Sequence, residues 1–215
     1  MSQSFELSGF SIKSMIENIG QTVVFEAIRN DDQKQVVLKT FLNDNPNLSD
    51  VAYLTKEFNT LESMNIQGIS KPLELIKDRN RPVMVVEDFG GISLSNYLSH
   101  TTFRIEAFFD IAIKVTNILS KIHAKNIMHK NLNPNNIIFN KDTGEIRLNG
   151  FSKATKLSLE HNSAHQLENQ SDLYYISPEQ TGRMNRSTDH RSDLYSLGII
   201  FYEMLIGELP FQSDD

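Results

Sequence analysis

The chain has 215 residues, 39% hydrophobic and 22% charged, with a formal net charge of −6, a balance that supports a buried core in one domain or two lobes and excludes a disordered chain. The acidic excess argues against general binding to nucleic acid or anionic lipid, which relies on lysine and arginine to displace counterions. With no cysteine, no leader-like start and no apolar run long enough to span a bilayer, the sequence predicts a cytoplasmic protein without disulfides or membrane insertion.

In chain order, β-branched and aromatic residues over Thr22–Ala27 and Gln35–Thr40 flank the polar turn "RNDDQK" and predict a hairpin. In "LSDVAYLTKEFNTLESMN" the residues Val51, Leu54, Phe58 and Leu61 recur at helical spacing, with Ser49 or Asp50 as the expected cap and Glu57 bordering the buried face. Strands are expected around Pro72–Ile76 and at "RPVMVVEDF", ending at the Gly90-Gly91 pair, which reads as a hinge. A short helix near Ser93–Leu98 precedes a long one with an apolar stripe of Ile105, Phe108, Phe109, Ala112, Val115, Leu119 and Ile122. "MHKNLNPNNIIF" then forms a loop and a strand, followed by a turn at "KDTG" and a strand at "EIRL". Lys153 to Asp172 is polar without a steady period and is expected to be a mobile loop. The helix through "RSDLYSLGIIFYEMLIG" is apolar around its circumference and is expected to be buried.

Taken in order, these pieces resemble the protein kinase fold. "VVLK" is similar to the strand motif whose lysine, here Lys39, binds the α- and β-phosphates, and Glu57 stands where a helix glutamate pairs with it. "HKNLNPNN" resembles the catalytic loop H-R-D-x-x-x-x-N, "NGFS" the segment bearing D-F-G, and "SPE" the A-P-E triplet. Asp193 matches the aspartate that tethers the catalytic loop, although a helix-capping role would also fit it, and His129 reads as a packing residue. "EDFGGISL" and "SPEQTGRMNR" are closer still to the N-terminal Ser/Thr-kinase module of large bacterial, cyanobacterial-type hybrid signalling proteins.

The resemblance implies an α+β, bilobal fold over residues 1–215, with a small β-rich N-lobe about 8–88, a hinge about 87–91 and a mostly helical, partial C-lobe about 92–215 cut short after its buried helix. It implies Thr22, Val86 and Glu87 as further nucleotide-binding positions. It also leaves Glu179 without the arginine that usually pairs with it.

The departures fall on the chemistry. Asn131 replaces the catalytic aspartate, and an amide is not a base near neutral pH. Gly150 replaces the metal-binding aspartate, while Asn136, the other metal position, is retained but neutral. Asn133 stands for the loop lysine that contacts the γ-phosphate, Asp172 for the threonine before A-P-E, and of the phosphate-loop positions Glu17, Ile19 and Thr22 none is glycine; Gly20 lies out of register. These substitutions predict a pseudokinase acting through protein partners of a signalling pathway, including other domains of a hybrid protein, with weak ATP binding nearly independent of Mg²⁺. The alternative is an active atypical Ser/Thr kinase that uses Asp172 or another acid, and a third reading is a remnant that folds only beside another polypeptide. His161 and His165 have metal-ligand spacing but no third ligand, which argues against zinc.

Overall fold

The computed structural model describes residues 5–19, 21–98, 103–159, 173–182 and 186–211. It divides into two compact units, Met1–Asn65 with Ser70–Phe89 and Ile66–Ile69 with Gly90–Asp215. The first is a β-sheet with one helix and the second is mainly helical, the α+β bilobal architecture expected of a kinase-like chain.

The first unit holds strands β1 (Phe10–Ile19), β2 (Thr22–Arg29), β3 (Gln35–Phe41), β4 (Pro72–Asp78) and β5 (Arg81–Glu87) in an antiparallel sheet of order β1-β2-β3-β5-β4. Alternation along β2 and β3 sends Val23, Phe25, Ala27, Val36 and Leu38 to one face, where they pack with Val83 and Val85. Thr22, Val24, Glu26, Val37 and Lys39 go to the other face and are half-buried. β1 carries two register shifts, one at Lys13 and one at Ile16, and pairs with β2 as far as Ile19 opposite Thr22.

Helix α1 (Leu48–Ser63) buries Leu54, Glu57 and Leu61, while Val51 and Phe58 are only half-buried. Its cap is Asn47, whose side chain accepts from the Asp50 N–H at 2.8 Å, and not the expected Ser49 or Asp50. The helix starts two residues earlier than a Ser49 cap would place it, because asparagine caps as well as serine or aspartate.

In the second unit β6 (Ile92–Ser93) precedes α2 (Leu94–Leu98) and the long α3 (Ile105–His123). The buried stripe of α3 is Phe108, Ile111, Ala112, Val115, Ile118, Leu119 and Ile122, so Ile111 and Ile118 replace the expected Ile105 and Phe109, which are exposed. After β7 (Ile127–Met128) come β8 (Ile137–Phe139) and β9 (Ile146–Leu148), the expected hairpin, which extends β6 into a three-stranded sheet. β10 (Thr155–Lys156) pairs with β7. The polar stretch expected to be a mobile loop is therefore ordered from Lys153 to Leu159, and its remainder lies outside the described residues. Helix α4 (His190–Ile206) is capped by Asp189 and ends at Gly207, whose φ is +86°. The composition of α4 led to the expectation of burial all round, but only one side is enclosed: Asp193, Ser196, Leu197, Ile200 and Met204 are buried, while Leu194, Tyr202, Leu205 and Ile206 are exposed.

Candidate functional site

In the first unit the structure brings Lys39 and Glu57 together. The ammonium donates to both carboxylate oxygens, at 2.8 and 3.0 Å, and the Glu57 side chain is 1% exposed. A carboxylate so deeply enclosed must be paired, so α1 and β3 fix each other through this contact. Register places Val86 opposite Val37, on the same face as Lys39, and Glu87 opposite Val36, on the other face. The Glu87 N–H donates to the Lys71 carbonyl at 3.0 Å. Thr22 shares the Lys39 face and is the strand partner of Ile19, the last pair between β1 and β2. Gly20 itself lies outside the described residues.

In the second unit a buried aspartate shapes the loop. Asp193, 1% exposed, accepts from the backbone N–H groups of His129 and Lys130 at 2.9 and 2.8 Å and from His123 Nε2 at 2.8 Å. Burial by itself would raise its carboxyl pKa, but the His123 bond, the His129 charge and the two backbone bonds together hold it below the ordinary 3.8. Asp193 is thus the tether, and the helix cap is Asp189. His129 is fully buried, donates Nε2–H to the Asn149 carbonyl at 2.8 Å and packs its ring 4.4 Å from that of Phe151. Lys130 adopts φ +62° and its carbonyl accepts from Gln180 Nε2 at 3.1 Å. Asp193 and Gln180 therefore hold the backbone that leads into Asn131.

The loop asparagines serve one another. Asn133 Oδ1 accepts from the N–H groups of Asn135 and Asn136 at 3.0 and 3.2 Å, capping the short 3₁₀ helix Pro134–Asn136. Asn133→Ala is expected to lower stability by about 1 kcal/mol, the usual cost of a lost cap, measured by denaturant melting. Asn136 Nδ2 donates to the Asn131 carbonyl at 2.8 Å. Asn131 Oδ1 takes a long contact, 3.4 Å, from Nζ of Lys153, a side chain that is buried in the 3₁₀ turn Phe151–Lys153. Lys153 had no sequence signal, because an isolated lysine after an aromatic normally reads as a surface residue.

Gly150 has φ +77°, and a Cβ there would lie 2.3 Å from Asn136 Cγ and Oδ1. The space into which a side chain at 150 would project is filled by the amide of Asn136. Magnesium, which favours anionic oxygens in octahedral array, finds here two carboxamides, one of them already turned to a backbone carbonyl, and no carboxylate. Among the described residues no group of three or more His, Cys, Asp or Glu is placed to hold a metal. These residues do not fit the ion.

Glu179 is not without a partner. Ser192 Oγ donates to its carboxylate, and although burial opposes ionisation, this bond, local bonds at Ser177 and Glu179 and the charge of Arg186 keep its pKa below the ordinary value. A serine in the next helix gives no sequence signal of such a role. Asp172, His161 and His165 lie outside the described residues. Among the described residues, no helix is long and apolar enough to cross a membrane.

The protein kinase domain family matches residues 15–215. The chain is similar to a probable serine/threonine-protein kinase of Clostridium perfringens, 26% identical over 91% of this chain and 28% of that protein. It is similar to the hybrid signal transduction histidine kinase G of Dictyostelium discoideum, 28% identical over 57% of this chain and 6% of that protein. A probable serine/threonine-protein kinase PknB of Lactococcus lactis is 28% identical over 72% of this chain and 24% of its own length. The chain thus spans less than a third of each of these relatives.

Proposed function

We propose, from the premise that this chain belongs to the protein kinase domain family, that it is a serine/threonine-kinase-type module that signals by binding rather than by phosphoryl transfer. The observation that carries this reading is the filled space at Gly150 beside the amides of Asn131 and Asn136. Phosphoryl transfer needs an acceptor for the substrate hydroxyl proton and positive charge held against the departing phosphates. Asn131 offers a carboxamide whose oxygen faces Lys153, so it supplies no base. Lys39 remains as a cation, weak ATP binding follows, and the metal contributes little to it. The degenerate loop and the match to a protein named as a hybrid histidine kinase support a module of a hybrid signalling protein, working in the cytoplasm through protein partners and through neighbouring domains. An active atypical kinase is the second reading, favoured by the intact Lys39–Glu57 pair and by relatives named as kinases.

A γ-phosphate transfer assay with purified protein and general protein substrates separates the two. No transfer above background is expected, and Asn131→Asp is expected to add none, because the new carboxylate would face Lys153 and still lack a metal. Transfer that disappears in Lys39→Ala would overturn the proposal. Thermal melting with ATP, in Mg²⁺ and in chelator, should show a small shift of the same size in both.

A further inference from the structure

The sheet face that presents Lys39 also presents an acid with no part in the functions above. Glu17 on β1 stands opposite Val24 on β2, and Val24 stands opposite Lys39 on β3. The three side chains form one row across three strands and leave the sheet on the same side. This depends on the bulge at Ile16, because the pairing steps from Met15 opposite Phe25 directly to Glu17 opposite Val24. With regular pairing Glu17 would fall opposite Val23, a core residue with no exposed surface, and every residue beyond it would change face. The irregularity of β1 therefore selects the face on which this carboxylate sits.

Two strand spacings separate the backbones of Glu17 and Lys39 by about 10 Å, a gap that a glutamate and a lysine span between them. Glu17 is half-buried; burial raises its carboxyl pKa above 4.5 while the Lys39 charge works to lower it, so the ammonium is within electrostatic reach. An ammonium has three donors, and two bonds already go to the Glu57 oxygens. A phosphate-bearing ligand must use what remains, on the face that Glu17 shares.

We propose that Glu17 is a built-in competitor for Lys39: a carboxylate carried by the edge strand that opposes any phosphate-bearing ligand, nucleotide or inorganic, at the open side of the ammonium. The strand that borders the site thus repels the class of ligand that its lysine attracts. The proposal rests on reading Lys39 as the phosphate-binding lysine of this chain.

The test is ATP affinity, in chelator and at fixed ionic strength, for the full chain, Glu17→Gln, Glu17→Thr, and each combined with Lys39→Ala. Both single variants should bind ATP on the order of fivefold to tenfold more tightly than the unaltered chain, the scale of removing one nearby charge in a partly hydrated site. The gain should vanish in the Lys39→Ala background. Two different side chains guard against a folding defect in one of them, and melting without ligand should show a cooperative transition for both. Equal affinity across the variants, a gain that survives Lys39→Ala, or no binding by any variant at millimolar ATP would overturn the proposal. Phosphate transfer by the unaltered chain would instead overturn the binding-module reading and leave this comparison intact.

Discussion

Gly150→Asp, the substitution that would restore an acid to the metal position, is expected to destabilise the protein by about 2–5 kcal/mol and to create no magnesium site. Two costs add. A non-glycine residue at φ +77° loses roughly 1–2 kcal/mol to backbone strain. The new Cβ would lie 2.3 Å from Asn136 Cγ, and forcing atoms into filled space costs about 1–3 kcal/mol. Asn136 can move aside only by giving up its bond to the Asn131 carbonyl. The diagnostic is the pair Gly150→Ala and Gly150→Ala with Asn136→Ala, compared by denaturant melting. The second change should recover part of the loss caused by the first, leaving the backbone cost. An aspartate at 150 that melts like glycine, or that binds Mg²⁺ by calorimetry, would show that the space is open.

A second large effect is expected at Asp193. Removing the side chain in Asp193→Ala leaves three donors, the N–H groups of His129 and Lys130 and His123 Nε2, without their acceptor in a buried site. The expected loss is about 3–5 kcal/mol. Asp193→Asn should cost nearly as much, because an amide must turn N–H groups towards one of those donors. The pH dependence follows from the depressed carboxyl pKa. The folded pKa lies below the unfolded value near 3.8, so the stabilisation is fully present above that value and is lost as pH falls through the lower, folded one. A separate loss sets in nearer pH 6.5, because the His190 imidazole, stacked 4.4 Å from His123, has its pKa lowered by burial and by that neighbour, and is harder to charge when folded. Asp193→Asn should reduce the acid-range loss, to which Glu179 and Asp189 also contribute, and keep the one near pH 6.5. Identical acid sensitivity of variant and parent would remove Asp193 from the account.

The sequence disclosed the features that rest on residue type at fixed spacing. The β2–β3 hairpin, the Lys39 and Glu57 positions and the loop around Asn131 follow from alternation, helical spacing and motif order. What it could not disclose depends on what packs where. Helix α3 has apolar residues on both flanks of Phe108 and Ala112, and only the surrounding chain decides that Ile111 and Ile118 turn inward while Ile105 and Phe109 turn out. That Gly150 lacks a carboxylate is plain from the letters; that Asn136 fills its side-chain space is a steric fact that letters do not contain. Lys153, Ser192 and the bulge at Ile16 are of the same kind. Each gains its role from a neighbour distant in sequence or from an irregularity without a compositional mark.

The two bulges of β1 also bear on behaviour at high concentration. β1 is an outer strand of its sheet, and a straight outer strand is a template onto which another polypeptide can add. Met15 and Ile16 stand exposed along this one, which would make such addition adhesive. The irregular steps at Lys13 and Ile16 interrupt the row of free peptide groups, so an incoming strand can match only a few residues before losing alignment. Deleting Ile16 would remove one of the two interruptions and lengthen the run that an incoming strand can match, leaving the protein more prone to self-assembly while Glu17, still opposite Val24, keeps its face.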